Sequence, residues 1–479
     1  MSADVIRERY DAVPYRHGAV SDSHPARIGA IARLLGISAA PPDCCRVLEL
    51  GCGEGMNLLP LAERFPKSEF VGVDFSGRQI AVAEAARVAS EIRNARFVCA
   101  DLRMWKHEGA AFDYVIAHGV YSWVPAEVRD RLLAICAEAL SPDGVAYVSY
   151  NTLPGWALPG GVRKFLLSEI VANASPDAQM ARATQVLDSL AECMKDQPGS
   201  YAANLRDTLE DMRAKPPGLL FHEELAAVNE PCTFTEFTDH TAHHGLHYLA
   251  EAHYATMQFE HVPAAMRAAL RPLQLDFVRT QQFMDVLFQR WLRNSLLCRT
   301  PVAPDRTVRA DVMADCAFGL RMTVDASAID LTPGRPMRFT GKHGLVLEAS
   351  EPVEKAVLTV LTGSFPERLP FPAVCAMANQ ALAEAGLPSV GNFSALHEFL
   401  HRLFALDVLD VMLCGGGGWL ATNSRPGPSA LMRHQAEHDL PLTSRWHEPV
   451  ALTPEGKRAL IDPAVRTDDT ALMRAGLLV

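Results

Sequence analysis

In Val47-Leu48-Glu49-Leu50-Gly51-Cys52-Gly53-Glu54-Gly55-Met56-Asn57, an apolar run broken by one acid leads into glycine at three alternate positions and then a helical pattern. The run from Arg46 to Leu50 has the length and composition of a buried parallel strand. Gly51, Gly53 and Gly55 let the backbone turn sharply and approach a ligand closely. A strand-to-helix turn of this kind builds a nucleotide site. The dinucleotide fingerprint G-x-G-x-x-G would require glycine where Met56 stands. Glu49, two residues before the first glycine, suits a cationic ligand.

S-adenosylmethionine meets that requirement, because its sulfonium and amino group are cationic and it carries no phosphate. Asp74 ends the next apolar run, Phe70-Val71-Gly72-Val73, where it can accept both ribose hydroxyls. A third run, Arg96-Phe97-Val98-Cys99-Ala100, ends at Asp101-Leu102, placed for the adenine amino group and a ring nitrogen. Three acids at three successive strand ends line one crevice in a doubly wound sheet. The expected donor set is Glu49, Gly51, Cys52, Gly53, Gly55, Asn57, Asp74, Phe75, Asp101, Leu102, His118 and Tyr15. Read singly, each acid could equally be a turn or capping residue.

Outward from this stretch the alternation continues. An irregular leader rich in Tyr, Pro and His gives way to a helix entered through Ser23-His24-Pro25. After the glycine turn come a helix through Met56, Leu58, Leu59 and Leu61, the Asp74 strand, a helix from Ser76 to about Ile92, and the Asp101 strand. A strand from Phe112 to Ile116, a helix from Pro125 to Leu140, a turn at Ser141-Pro142-Asp143-Gly144 and a strand from Val145 to Tyr150 follow. Five such units predict a parallel sheet covered on both faces. From Gly155 the pattern turns helical. Late strands at about 246–252 and 294–299, the second reached through a helix from Phe277 to Trp291, are expected to complete a seven-stranded, doubly wound Rossmann-like sheet. The expected division is a donor-binding core over 1–160, a helical insertion and regulatory segment over 161–303, and a smaller C-terminal α+β domain over 304–479. Helices at 353–361, 372–385 and 394–406, a strand at 408–413, a four-glycine turn and Trp419-Leu420-Ala421 give that last part a winged-helix-like pattern.

The chain has 479 residues, 49% of them apolar, enough for a large core, and a net charge of -11 gives no global attraction to nucleic acid. Nucleic acid is therefore not an expected partner. No 18-residue uncharged apolar span and no signal-peptide core occur, so stable membrane insertion is not expected and the protein reads as cytoplasmic. The eleven cysteines lack any C-x-x-C, and Cys99, Cys136 and Cys375 fall inside apolar runs like reduced core cysteines.

Beyond the glycine turn and the acids, the chain carries His118-Gly119-Val120-Tyr121-Ser122-Trp123-Val124-Pro125 and Ser149-Tyr150-Asn151-Thr152-Leu153-Pro154-Gly155-Trp156. It also carries Phe221-His222-Glu223, Phe234-Thr235-Glu236-Phe237 and Gly245-Leu246-His247-Tyr248-Leu249-Ala250-Glu251-Ala252. Together these motifs resemble class I methyltransferases with a methyltransferase regulatory domain, a group that includes the lysine methyltransferases of rickettsial outer-membrane proteins. The resemblance covers roughly two thirds of the chain. It implies methyl transfer from S-adenosylmethionine to lysine of a protein or peptide, with a homodimer among the expected assemblies.

Methyl transfer from a sulfonium is an in-line displacement that depends on positioning. A lysine ammonium must first lose a proton, which an apolar, aromatic pocket favours. The residues expected to form that pocket are His118, Tyr121, Tyr150, Asn151 and Trp156, with Trp123 beside them and Tyr10 and Tyr15 as a lid. For each aromatic the competing reading is core packing between helix and sheet. Two further patterns need weighing. His397-Glu398-Phe399-Leu400-His401 matches H-E-x-x-H, but no third-ligand motif follows it. His240, His243 and His244 share a helical face, more simply read as a solvated helix end. No resident metal is expected. A small-molecule or peptide natural-product methyltransferase is the alternative in the same class, and a cofactor-binding regulatory or scaffold protein is the alternative from another.

Overall fold

The computed structural model describes residues 3–13, 15–171, 174–299, 306–325, 329–341, 344–415, 428–462, 465 and 472. Strands β1 (Arg46–Leu50), β2 (Glu69–Asp74), β3 (Ala95–Cys99), β4 (Phe112–Ala117) and β5 (Leu140–Asn151) are parallel. They are joined by β6 (Leu246–Glu251) and β7 (Leu292–Arg299) in the order β3-β2-β1-β4-β5-β7-β6. Between β5 and β6, β7 alone runs against the direction of the other six strands. The seven-stranded α/β sheet expected from the sequence is thus present.

Both faces of the sheet are covered, which is why its strands are continuous apolar runs. Val47 and Leu48, adjacent in β1, enter opposite cores. On Val47's side, Phe70 and Tyr114 pack with residues of α2 (Pro25–Leu34) and α3 (Leu58–Arg64), including Ile28, Ile31, Leu59 and Leu61. On Leu48's side, Val71 and Val115 pack with Leu132, Leu133 and Phe237. α1 (Ala3–Ala12) precedes these helices, and α4 (Gly77–Ala89) and α5 (Ala126–Ala139) follow them. Helix entry follows the local rules. His24 Nδ1 accepts from Ala26 N at 2.9 Å with Pro25 in the first turn of α2, and Ser76 caps α4.

Three helices form the insertion, α6 (Ala157–Glu169), α7 (Pro176–Met194) and α8 (Ser200–Ala214), and Leu166, Leu187, Leu205 and Leu209 give it a core of its own. After a single turn, α9 (Pro217–Leu219), α10 (Phe234–His243) starts in a Thr233/Glu236 capping box, with α11 (Ala264–Leu270) and α12 (Phe277–Leu287) behind it.

In the C-terminal part, β8 (Cys316–Leu320) is the middle of a three-stranded antiparallel sheet, and β9 (Met337–Thr340) and β10 (Val346–Ala349) form a hairpin. Around them lie α13 (Pro352–Ser364), β11 (Leu369–Pro370), α14 (Phe371–Glu384), α15 (Phe393–Ala405) and β12 (Leu409–Leu413). The sheet order is β11-β8-β12. Most of the four-glycine turn and the strand expected at Trp419-Leu420-Ala421 lie outside the described residues. Residues 428–450 then return to the first sheet. α16 (Ala430–Glu437) lies against α3 and α4, ahead of β13 (Leu442–Thr443), β14 (Pro449–Val450) and α17 (Pro454–Ile461). Trp446, 1% exposed, is sandwiched by the guanidiniums of Arg368 and Arg445, each 4.5 Å from its ring.

Four details differ from expectation. The leader is not wholly irregular, because Ala3–Ala12 is helical and docks through Tyr10 on His222 at 4.5 Å. The helix beginning at Phe277 ends at Leu287 instead of Trp291, where Gln289 takes a left-handed φ of 47°. The turn at 141–144 is an irregularity inside β5, with the register shifting between Phe112 and Tyr114 of β4. Cys99 is exposed because β3 is an edge strand, whereas Cys136 and Cys375 are buried as free thiols.

One buried ion cluster ties β7 to the elements around it. Arg293, 1% exposed, donates to Asp285 Oδ1 at 2.7 Å and to Glu251 Oε1 at 2.6 Å, with its guanidinium 4.0 Å from the Phe234 ring centre. Ser295 Oγ and Tyr248 OH also donate to Glu251. Removing one partner of such a cluster strands the others without water. Arg293→Met is expected to lower stability by about 3–5 kcal/mol, measured by urea unfolding, with the loss shrinking at low pH as the stranded carboxyls take up protons.

Candidate active site

The glycine turn is built by close approach. Gly51 has φ 76°, and a Cβ there would lie 2.5 Å from Val120 Cγ2, while one at Gly55, φ 73°, would lie 2.7 Å from Phe97 Cζ. Gly51 N and Cys52 N both donate to Val73 O, which holds the turn against the end of β2. There Asp74 accepts from Gly53 N at 2.9 Å through Oδ2 and from Ser76 N at 2.8 Å through Oδ1. Each oxygen keeps a second lone pair for a ligand. Burial pushes the Asp74 carboxyl up, and the backbone donors oppose the shift.

Glu49 is 4% exposed, and Asn57 Nδ2 donates to its Oε1 at 2.8 Å. Its Oε2 is buried with no hydrogen-bond partner among the described residues, and the residue lines the cavity. Burial raises its carboxyl to about 8, despite the Asn57 hydrogen bond. Asn57 is itself held from both directions of the chain. Its Oδ1 accepts from Val20 N at 2.9 Å and from His447 Nε2 at 2.8 Å, and its amide also meets Ser23 Oγ. Burial, followed by the nearby Arg27 charge, lowers His447 to about 3, so its imidazole is neutral.

The cavity runs from Glu49 past Asp74 to Asp101 and is roofed by Tyr10, Tyr15, His17, His222 and Glu223. The Tyr10 ring stacks on His222, and the Tyr15 ring meets it edge-on at 5.4 Å. His118 hydrogen-bonds Tyr147 OH through Nδ1 at 3.0 Å, and its ring lies 5.0 Å from His17. Burial, then the neighbouring His17, lowers His118 to about 3, and burial also lowers His17 and His222. The roof and floor imidazoles are therefore uncharged at neutral pH. The wall's formal charge comes from Glu49, Glu54, Asp74, Asp101, Glu127 and Glu223 against a single guanidinium, Arg103.

Of the expected donor set, Glu49, Gly51, Cys52, Gly53, Asn57, Asp74, Phe75, Asp101, Leu102, His118 and Tyr15 line this cavity. Gly55 does not; it packs beneath the turn on Phe97. Of the residues expected to receive the acceptor, His118 and Trp123 line it. Tyr150 is 1% exposed, its ring 3.8 Å from Phe237 and its OH 3.3 Å from Ser295 Oγ. Tyr121 is buried against Phe237 and hydrogen-bonds His240. Asn151 is buried and donates to Asn229 Oδ1, and Trp156 reaches the wall only indirectly, edge-on to Trp123 at 5.8 Å. For Tyr121, Tyr150 and Asn151 the cause is common: α10 and the loop before it cover the end of β5, so these side chains meet Phe237, His240 and Asn229. Sequence reasoning missed His17, Arg103, Val120, Glu223 and the approach of His447. Arg103 had a signal, because a guanidinium two residues after a strand-end acid can fold back, and it does so on Asp101, holding that carboxyl below its usual range.

His447→Ala removes a buried donor from Asn57 while leaving the rest of the network, and is expected to lower stability by about 1–3 kcal/mol. Thermal melts of His447→Ala beside His447→Gln, which keeps an N–H donor, check that the hydrogen bond carries the effect.

Comparison with known proteins follows this geometry. A methyltransferase domain matches residues 47–144, and a predicted methyltransferase regulatory domain matches residues 216–299. An uncharacterized protein of Rickettsia prowazekii is 31% identical over 230 residues, 48% of this chain and 92% of its own length. A second from the same organism is 29% identical over 483 residues, 97% of this chain and 85% of its own length. The structure of PKMT2 from Rickettsia typhi in complex with AdoHcy is 25% identical, covers 94% of this chain and 88% of that one, and superposes with a TM-score of 0.80. With the seven-stranded sheet, the glycine turn and both matched segments in place, the chain belongs to the class I S-adenosylmethionine-dependent methyltransferases that carry a methyltransferase regulatory domain.

Proposed function

We propose that the enzyme transfers the methyl group of S-adenosylmethionine to lysine side chains of a protein substrate, with the donor lying along the cavity from Glu49 to Asp101. The observation that carries the donor placement is Glu49 Oε2, a buried oxygen without a partner at the cavity wall. A buried carboxylate is retained at little cost only where a cation comes to meet it. Bound there, S-adenosylmethionine supplies an electrophilic methyl on a positively charged sulfur. Glu49 then holds the ammonium and Asp74 takes the ribose hydroxyls on its free lone pairs. Asp101 and the backbone of Leu102 face the adenine.

The lysine assignment rests on the family resemblance together with the roof of the cavity. Tyr15, His17 and Trp123 bring rings to the lining, and Glu127 brings negative charge, while Glu223 is paired with Lys215. Carboxylates at an entrance attract an ammonium, and enclosure by rings favours its neutral, nucleophilic form. His118, lowered to about 3, is a poor proton acceptor at neutral pH, so it serves to orient rather than to deprotonate. Tyr121, Tyr150, Asn151 and Trp156 set the floor on which these wall residues stand.

Asp74→Ala is expected to weaken S-adenosylmethionine binding by a factor of about ten or more, read by titration calorimetry; equal affinity in wild type and variant overturns the donor placement. Glu49, raised to about 8 in the free protein, is mostly protonated at pH 7 and must ionise against the donor's ammonium. Binding at pH 7 therefore releases on the order of one proton, seen as a dependence of calorimetric heat on buffer ionisation enthalpy and absent in Glu49→Gln. Without ligand the same group makes the protein lose stability as pH rises from its unfolded value through about 8. For the acceptor, incubation with methyl-labelled donor and a mixture of lysine-rich proteins should yield methyl-lysine after hydrolysis. Label confined to small molecules of a cell extract would replace the lysine reading with the natural-product one.

A further inference from the structure

Three candidates stand outside the donor cavity. The H-E-x-x-H helix is spent on packing, with His401 hydrogen-bonded to Tyr254 and His397 against Phe371. The exposed apolar side chains Val286, Phe288 and Trp291 form a face with nothing to say what covers it. The third is a histidine pair whose partner comes from another helix.

His240 and His244 stand one turn apart on α10 and point at Asp130 on α5. The Nε2 atoms lie 3.6 Å and 2.9 Å from Asp130 Oδ1, and the three ligand atoms lie within 4.8 Å of one another. This is the only such His, Cys, Asp or Glu grouping among the described residues. Zinc bonds of about 2.0–2.1 Å in a tetrahedron put ligand atoms roughly 3.3 Å apart, so the cluster closes on an ion by drawing its atoms together by up to about 1.5 Å. The inner edge of the site is already organised: Tyr121 OH meets His240 Nδ1 at 2.7 Å. That contact turns Nε2 outward, as an outer-shell oxygen does for a metal-bound imidazole. The surrounding recess adds Glu127, Glu230 and Glu236 against one guanidinium, Arg129, which is already paired with Glu230.

We propose that Asp130, His240 and His244 bind a divalent transition metal of the zinc class, with a fourth position left for water or a substrate group. The ion would take the Nε2 lone pairs of the two imidazoles, with their N–H protons on Nδ1, and one oxygen of the Asp130 carboxylate. Asp130 lies in the matched methyltransferase segment and both histidines in the matched regulatory segment. The metal is therefore a clip between them. Its reach extends inward, because Tyr121 opens the short helix Tyr121–Trp123 whose far end lines the donor cavity.

The test uses the full chain and zinc or cobalt salts alone. One equivalent of zinc should survive dialysis at micromolar free metal, and cobalt should give the absorption bands of a four-coordinate nitrogen and oxygen site. Both signals should vanish in His244→Ala, at a half-buried side chain, and in Asp130→Asn, at an exposed one, with circular dichroism as the folding control. Zinc should raise the melting temperature of the wild type and not of either variant. No stoichiometric binding at tens of micromolar zinc overturns the proposal. So does binding that persists in both variants, whether or not it disappears in His434→Ala, which removes one member of the adjacent His434 and His438 pair.

Discussion

Between β1 and β4 the chain leaves the sheet in opposite directions, and the strand ends there cannot be bridged by the backbone that follows them. A crevice is forced at that point by the strand order alone. Everything around it answers one question: what may line a gap in an otherwise dry layer. Glycines fold the chain close on one side, where Gly51 touches Val120 across the gap. Acids stand at the strand ends on the other side: Glu49, Asp74 and Asp101.

Placing Glu49 in this position creates a strain that the rest of the molecule absorbs. One oxygen is matched by Asn57, and Asn57 in turn is held by the leader at Val20 and by His447 from the far end of the sequence. The regulatory segment does a parallel job at the other edge. There β7 and β6 complete the sheet, and the charges needed to seat them, Arg293 with Asp285 and Glu251, are neutralised in place. Both clusters use long-range contacts to keep charge out of water, but only the first leaves an oxygen over.

What could be read in advance divides along the same line. β1 to β5 and the helices between them follow from apolar period and caps, and Asp74 and Asp101 from their positions at run ends, because these signals are local. Tyr121, Tyr150, Asn151 and Trp156 looked like crevice residues for an equally local reason. Which face of β5 is open depends on α10, some eighty residues later, and that helix brings Phe237 onto Tyr150. Asp101 was legible as an acid but not its capture by Arg103. His240 and His244 were legible as a helical pair, while Asp130, on a helix that reads as plain surface, was not. His447 gave no sign of its partner, since nothing near residue 447 speaks of a helix start 390 positions earlier.

The span between Asn57 and His447 has a consequence in time. A chain leaves the ribosome from its N-terminus at about 5–20 residues per second, so with 390 residues between the two partners the imidazole emerges roughly twenty to eighty seconds after the amide it must meet. During that interval the glycine turn and the acids already exist, yet the amide that aligns Glu49 is untethered on one side. Nascent and C-terminally clipped chains therefore carry the same glycines and acids as mature ones, with the Asn57 amide held only from the Val20 side.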